Sequence, residues 1–271
     1  MICIFCNKEN TSISVEHIVS EALGNKDYVM QKGEVCDACN NKFSSFENTA
    51  LSNSIFVMER ARLGIETKKG STAKGKIKEL TIEGDKSFQE GLINVSGLNK
   101  DNLKEINPVT REAKLQIKTF DKSEVAASKL FLKIALESIY KSQRKLFNKY
   151  DFSELRDFLM GTNNVDWPFV GTSLELTEFK SVPTFTDKHK LNKTPCRISF
   201  SEVNENTLLF KFKYGGPDFI INLLNRNLDW IVDYNSPEED ICELYPEHYK
   251  KKLEKHIAKT TAAEIVEVES N

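Results

Sequence analysis

Four cysteines near the N-terminus stand in two pairs with the same internal spacing. Cys3 and Cys6 form the first Cys-x-x-Cys pair, and Cys36 and Cys39 form the second. Two such knuckles can bring four thiolates to one tetrahedral centre, and zinc suits four sulfurs without redox chemistry. A thioredoxin-like redox pair is disfavoured because neither pair lies between a strand and a helix of a βαβ unit. The spacing therefore predicts a closed, structural zinc site; the alternative is four unrelated cysteines.

A second set of polar residues lies between the two cysteine pairs and directly after them. Glu16 precedes His17 in the run "SVEHIV", and Asn40 follows the last cysteine in "CNNKF". A knuckle, an acidic residue followed by His, a second knuckle and an Asn after its final Cys therefore follow one another in residues 3 to about 50. This order and spacing resemble the HNH, or ββα-metal, endonucleases in their four-cysteine, zinc-stapled form. The continuation "EHIVSEALGN" also resembles the family's acidic-His-Ile-x-Pro stretch, with Ser20 in place of the Pro.

The resemblance implies a role for each of these residues. His17 would be the general base, Glu16 and Asn40 would bind a catalytic Mg²⁺ or Mn²⁺, and the four cysteines would bind structural Zn²⁺. These roles are chemically coherent, because phosphodiester hydrolysis needs a deprotonated water and a neutral His can take that proton. A hard cation neutralises charge building on the phosphate, and it prefers carboxylate and carboxamide oxygens as ligands.

Each of the three catalytic assignments has a simpler alternative. His17 could be a zinc ligand or a surface histidine, although four thiolates already complete a zinc shell. Glu16 could be an exposed strand carboxylate, and Asn40 could cap the helix that starts at the second knuckle. Neighbours in a regular strand point to opposite faces, so a shared role for Glu16 and His17 implies a bend or bulge near 15–18.

Two further residues are predicted to lie in a second shell around the catalytic centre. Asn25 is the nearest candidate for the Asn that, in the family, fixes the orientation of the catalytic His. Glu47 lies on the same helix face as Asn40, but about 10 Å farther along the axis, which favours an indirect role. An adjacent stripe is predicted to be core; it consists of Phe43, Phe46 and Ala50.

The elements that must position these residues fall into two predicted parts. Residues 1–66 are predicted to form the HNH module, 67–76 a polar linker, and 77–271 a larger α+β domain with mostly antiparallel strands and a long central helix. The long helix is expected to run through "EVAASKLFLKIALESIYKSQRKLF", with Ser123 as its N-cap. Strands are expected in several stretches: "KIKELTIEG", "GLINVSG", "AKLQIKTF", "VGTSLELTEF", "CRISFSEV", "TLLFKFKY", "DFIINLL" and "LDWIVDY".

Composition limits the function classes without selecting one. The 271 residues carry a formal net charge of -2, so overall charge does not indicate a polyanion-binding protein. Basic groups are instead concentrated locally, among them Lys68 and Lys69 in the predicted linker, and could supply phosphate contacts. No stretch approaches the roughly 18 apolar residues that a membrane span needs, so we expect a cytoplasmic protein without a membrane partner.

The sequence thus predicts a metal-dependent HNH endonuclease that hydrolyses double-stranded DNA, in a prokaryotic defence or restriction setting. Cutting of two strands by a one-site nuclease favours a homodimer, and 77–271 could bind a small-molecule or protein effector. One alternative is a non-catalytic, zinc-stapled module that binds nucleic acid or protein. Another is an RNA-directed nuclease or toxin with the same centre.

Overall fold

The chain divides into two compact units, and each is described by itself. The computed structural model describes residues 1–99, 103–115, 117–162, 165–172, 180–182, 196–232, 242–256 and 258. The first unit is Met1–Leu130, and the described residues from Phe131 onward make up the second. The division falls inside helix α3 and differs from the predicted one, which placed a linker at 67–76.

The first unit contains two helices, five short strands and the start of α3. Its elements are α1 (Asp37–Leu51), α2 (Ser54–Arg62), β1 (Lys74–Ile77), β2 (Leu80–Gly84), β3 (Ile93–Ser96), β4 (Leu103–Asn107), β5 (Glu112–Leu115) and α3 (Glu124–Ser142). Before α1 the chain forms isolated antiparallel bridges, Ile2 with Glu9 and His17 with Val29. The ββ part of the N-terminal module is therefore a minimal hairpin, and α1 begins at Asp37, inside the second knuckle.

A three-stranded antiparallel sheet, β1-β2-β3, packs against α2. Val57 and Ala61 of α2 share a buried cluster with Ile77, Leu80 and Ile82 of the sheet. The last residues of 67–76 begin β1, and Ile77 at the end of this strand packs against α2.

Asn53 fixes the corner between α1 and α2. Its side chain is fully buried, and its Oδ1 accepts hydrogen bonds from the backbone N–H groups of Lys122 (2.8 Å) and Ser123 (3.1 Å). Its Nδ2 donates to the carbonyl oxygens of Ala50 (2.9 Å) and Ser123 (3.2 Å). One amide thus joins the end of α1 to the segment that begins α3, where the Ser123 hydroxyl caps the helix as predicted by accepting from Ala126 N–H (3.1 Å).

The second unit is built on a six-stranded antiparallel sheet with helices. Its further elements are α4 (Arg144–Lys149), α5 (Ser153–Met160), β6 (Phe169–Thr172), β7 (Lys180–Val182), β8 (Cys196–Asn204), β9 (Thr207–Tyr214), β10 (Asp218–Asn222), α6 (Asp229–Val232) and β11 (Cys242–Tyr245). The strand order is β11-β6-β10-β9-β8-β7, and every pairing is antiparallel. The predicted α+β class, with mostly antiparallel strands and a long helix, is confirmed.

Both faces of this sheet are covered. Phe131 of α3 stacks on Phe219 (ring centroids 4.8 Å apart) and meets Phe169 edge-on (5.1 Å). The alternate residues Val170 and Ile220 belong to a different buried cluster, with α6 and residues from the helical stretch 249–256. Because neighbours in a strand point to opposite faces, burial of both sets places apolar layers on the two sides.

Several predicted elements differ from the structure. The stretch "KIKELTIEG", predicted as one strand, contains a turn at Lys78 and Glu79 that separates β1 from β2, and these two strands pair with each other. The predicted long helix is interrupted at Gln143, whose backbone leaves helical dihedrals (φ -133°, ψ 52°) before α4 begins. The break lets Phe147 pack edge-on against Tyr140, with ring centroids 4.8 Å apart. The strand predicted in "LDWIVDY" is wrong, since its described part forms α6, whose turn buries the consecutive residues Trp230 and Ile231 in one cluster. A strand would send these two side chains to opposite faces.

Within the described residues, no helix combines the length and the apolar character needed to cross a membrane.

Candidate functional site

The four predicted zinc ligands converge. Their Sγ atoms all lie within 4.8 Å of one another, and those of Cys6 and Cys36 are 3.7 Å apart. Four sulfurs placed tetrahedrally around zinc at about 2.3 Å are separated by about 3.8 Å, so the donor set and its spacing fit this ion. Cys3, Cys36 and Cys39 are buried, which is typical of a structural site.

Backbone geometry forms the first knuckle. Cys3 N–H donates to Lys8 O (3.0 Å), and Asn7 N–H donates to Cys3 O (3.0 Å). The backbone of Asn7 is in the left-handed region (φ 54°). Asn tolerates this conformation better than most residues, so the turn that follows Cys6 has a local cause. A hydrogen bond joins the two knuckles, because Cys36 N–H donates to the Sγ of Cys3 (3.4 Å).

The crowded thiols shift one another's protonation. The thiol of Cys39, with further help from backbone N–H groups, lowers the pKa of Cys3 to about 4. The same interaction raises the pKa of Cys39, and burial raises that of Cys6. Four like charges this close repel one another, so full ionisation of the cluster requires a cation at its centre.

The Glu16–His17 pair lies on the minimal hairpin, outside the cysteine cluster. Met30 N–H donates to Glu16 O (2.8 Å) and Ile18 N–H donates to Tyr28 O (3.1 Å), so His17 and Val29 face each other between two backbone hydrogen bonds. The chain then bends at Ile18 and Val19, at the end of the predicted irregular segment. Glu16 is only 8% exposed and His17 is half-buried, so Glu16 is not the exposed carboxylate of the simpler alternative.

Asn25 pins the loop that follows His17. It is fully buried, and its Nδ2 donates to Val19 O (2.6 Å) and Tyr28 O (2.9 Å), while its Oδ1 accepts from Tyr28 N–H (3.0 Å). Between these points Ser20 caps a single 3-10 turn, Glu21–Leu23, which ends at Gly24 in the left-handed region (φ 90°). Ser20 therefore performs a local capping task at the position where the family pattern has Pro.

Asn40 lies in the first turn of α1, and its simpler role as a helix cap does not apply. The N-cap is Cys36, and Asn40 N–H already donates to Cys36 O over 3.0 Å within the helix. Asn40 and Glu47 are both half-buried, while Phe43 on the adjacent stripe is fully buried and meets Phe5 edge-on at 4.6 Å. Helix α1 thus combines a core stripe with a neighbouring polar one.

Among the described residues, the cysteine cluster is the single group of three or more His, Cys, Asp or Glu side chains whose ligand atoms converge. Glu16, His17 and Glu47 therefore do not form a three-ligand group of their own. The assignment of Glu16 and the Asn40 carboxamide as cation ligands stays a prediction; such oxygen donors suit a hard ion that keeps waters and phosphate oxygens as its other ligands.

Sequence reasoning missed a cleft beside this hairpin. Its lining includes Glu21, Lys26, Arg60, Lys68 and Lys69. The sequence predicts a basic cluster at Lys68 and Lys69, but no spacing rule connects these two lysines with Glu21 and Lys26, some forty positions earlier.

Comparison with family models gives one match, which covers residues 3–56 and is described as HNH endonuclease. Comparisons with curated proteins and with solved structures gave no match. The matched range contains the four-cysteine cluster, the Glu16–His17 pair and the first helix that follows the second knuckle. Residues 3–56 therefore resemble the HNH endonuclease family, and this matched segment contains four clustered cysteines.

Proposed function

We propose that residues 3–56 are the catalytic module of a metal-dependent endonuclease that hydrolyses phosphodiester bonds in DNA. The observation that carries this proposal is the location of His17. It lies on a hairpin whose loop Asn25 pins with three hydrogen bonds, it is outside the cysteine cluster, and it falls within the segment that matches the HNH family.

In this proposal the residues divide the work. His17 takes the proton from the attacking water, because a neutral imidazole can accept it near neutral pH. Glu16 and Asn40 supply oxygen ligands for Mg²⁺ or Mn²⁺, and a carboxylate as buried as Glu16 is stabilised by an adjacent cation. The bound cation supplies charge neutralisation at the phosphate. Asn25 positions the hairpin, Glu47 supports the centre from α1, and the cysteines with zinc hold the module together.

The wider setting follows from the same proposal. Double-stranded DNA is the substrate, and a prokaryotic defence or restriction pathway is the setting in which such cleavage would act. Cutting of both strands favours two copies of the chain, since each carries one proposed centre. The second unit is proposed to bind an effector or to mediate this pairing.

Plasmid cleavage tests the proposed mechanism. We expect His17→Ala to lower the rate of nicking with Mg²⁺ or Mn²⁺ by about 10²- to 10⁴-fold, the usual contribution of a general base. Zinc content measured by mass spectrometry should not change, because His17 is not in the cysteine cluster. His248→Ala is the matched control, as this exposed histidine lies in the second unit and should leave cleavage unaffected.

Two outcomes would contradict the proposal. Equal cleavage by the wild-type chain and by His17→Ala would remove His17 from the mechanism. If the wild-type chain cleaves neither plasmid DNA nor a structured RNA with either cation, the non-catalytic binding module becomes the better description. Cleavage of the RNA but not the plasmid would replace DNA as the substrate and leave the assigned residues in place.

A further inference from the structure

A cleft in the described part of the first unit lies next to the hairpin that carries His17. Its volume is about 820 Å³, and it opens between the 3-10 turn and the segment after α2. The lining residues are Glu21, Ala22, Gly24, Lys26, Arg60, Ile65, Glu66, Thr67, Lys68, Lys69, Gly70 and Ser71. Although the whole chain has a net charge of -2, the cations in this lining outnumber the carboxylates.

Lys68 and Lys69 lie on a turn that is held by several hydrogen bonds. Thr67 N–H donates to Ser71 O (2.8 Å), and Gly70 N–H donates to Thr67 O (2.9 Å). The hydroxyls of Thr67 and Ser71 are also hydrogen-bonded, at 2.8 Å, and Gly70 takes the left-handed conformation that the turn requires (φ 74°). Lys68 and Lys69 are thus presented at the tip of a preorganised loop, which lowers the entropy cost of binding an anion.

One ion pair crosses the cleft. Lys68 Nζ lies 2.7 Å from Glu21 Oε2, and this lysine lowers the pKa of Glu21. Glu21 lies four residues after the proposed general base, His17, in the loop that Asn25 pins. Lys26 and Lys69 are exposed at the cleft, and Arg60 is half-buried in it.

We propose that this cleft binds the phosphate backbone of the nucleic acid next to the bond that is cut, through Lys26, Arg60 and Lys69. The inference rests on the proposed nuclease function and gives it a substrate-binding surface. Cationic side chains that contact the phosphate backbone bind without reading sequence, and this cleft offers exposed ammonium groups on a hydrogen-bonded turn. Glu21 opposes binding, because its carboxylate faces the same space and neutralises Lys68.

Binding can be measured without cleavage in the full chain that carries His17→Ala. In this background we would measure the affinity for a fluorescein-labelled DNA duplex by polarisation, without added Mg²⁺, over a series of salt concentrations. Adding Lys26→Gln and Lys69→Gln together should weaken binding by more than about tenfold near 0.1 M salt and reduce the slope of log affinity against log salt by about 2. Adding Glu21→Gln should strengthen binding, since it removes a negative charge and releases Lys68.

The control is Lys86→Gln, which removes an exposed lysine of the first unit that does not line the cleft. It should change affinity and salt slope much less than the cleft pair does. Equal effects of Lys86→Gln and the cleft pair, or unchanged binding in the pair, would overturn the inference even if the wild-type chain cleaves DNA. Loss of binding in the pair would uphold the cleft as a phosphate-backbone surface even if the wild-type chain cleaves nothing, in which case the proposed nuclease function alone fails. Tight binding of inorganic phosphate alone, by calorimetry, would reassign the cleft to a free anion.

Discussion

Single residues in the N-terminal segment have separable tasks. Cys3 and its three partners converge on a metal-sized space, Ser20 caps a turn, and Asn25 fixes the loop that follows His17. Asn25 donates two hydrogen bonds through its amide and accepts one, and it has no exposed surface. Replacing a buried amide bonded in this way lowers the free energy of unfolding, because each backbone group that loses this partner stays buried without a hydrogen bond.

Replacement of Asn25 by Asp tests whether the loop after His17 depends on this amide. The carboxylate keeps the bond from Tyr28 N–H but faces the carbonyl oxygens of Val19 and Tyr28, to which it has nothing to donate. We expect a loss of about 3 kcal/mol in the free energy of unfolding, measured by urea denaturation, from a buried charge and two unsatisfied acceptors. Asn48→Asp on the exposed side of α1 is the control and should stay within about 0.5 kcal/mol. Similar values for the two variants would show that the loop does not depend on this amide.

Elements in the first unit are held by close backbone approach as well as by apolar contact. Gly75 of β1 lies under α2, and a Cβ at this position would be 2.6 Å from Cγ1 of Val57 and 2.9 Å from its Cγ2. The glycine therefore sets the distance between helix and sheet. It also explains how a polar, glycine-bearing stretch can begin a strand that is packed against a helix.

Gly75→Ala should therefore destabilise the protein by about 1–3 kcal/mol, the usual effect of overpacking a tight contact. Combining it with Val57→Ala removes the clashing methyl groups. The double variant should lose about 1 kcal/mol less free energy of unfolding than the two single losses add up to, measured by thermal and urea unfolding.

Gly216→Ala serves as the matched glycine control. A Cβ at this position would meet nothing within 4 Å, so the substitution should change stability by less than about 0.5 kcal/mol. Purely additive effects of Gly75→Ala and Val57→Ala would mean that helix and sheet are farther apart than the packing indicates.

At the scale of the whole molecule, the metal site and the tryptophans lie in different units. The four cysteines are in Met1–Leu130, whereas Trp167 and Trp230 are in the second unit and are 0% and 3% exposed. Since the chain has two tryptophans, its tryptophan fluorescence reports on the second unit alone.

Removal of zinc should consequently affect the two units unequally. We expect about one zinc per chain, and a strong chelator should remove it with a loss of far-ultraviolet circular dichroism, because zinc in such a module contributes on the order of 10 kcal/mol to folding. Tryptophan emission should keep its blue-shifted maximum, since the core around these rings contains no metal ligand. Added zinc should restore the dichroism. A chain that holds no zinc, or one whose dichroism is unchanged after chelation, would contradict the structural role of the cysteines.

Local sequence patterns determined much of the fold. Alternating apolar residues marked most described strands, and Ser123 marked the start of α3 because a hydroxyl at that place satisfies a free N–H group. The failures also have local causes. A short apolar run such as Leu228–Val232 fits a strand or a helical turn equally well, and only the cluster that receives Trp230 and Ile231 decides between them.

The candidate site shows the same division between sequence and tertiary structure. The sequence by itself predicted the four cysteines that converge in the structure, because metal chemistry fixes both the residue types and their short spacing, whereas the catalytic roles of Glu16 and His17 stay a prediction. It also predicted an irregular backbone beside His17. Only the tertiary structure brought the turn at Thr67–Ser71 to the hairpin and formed the basic cleft, because contacts between distant segments depend on how α2 and its sheet pack, and no local periodicity encodes that.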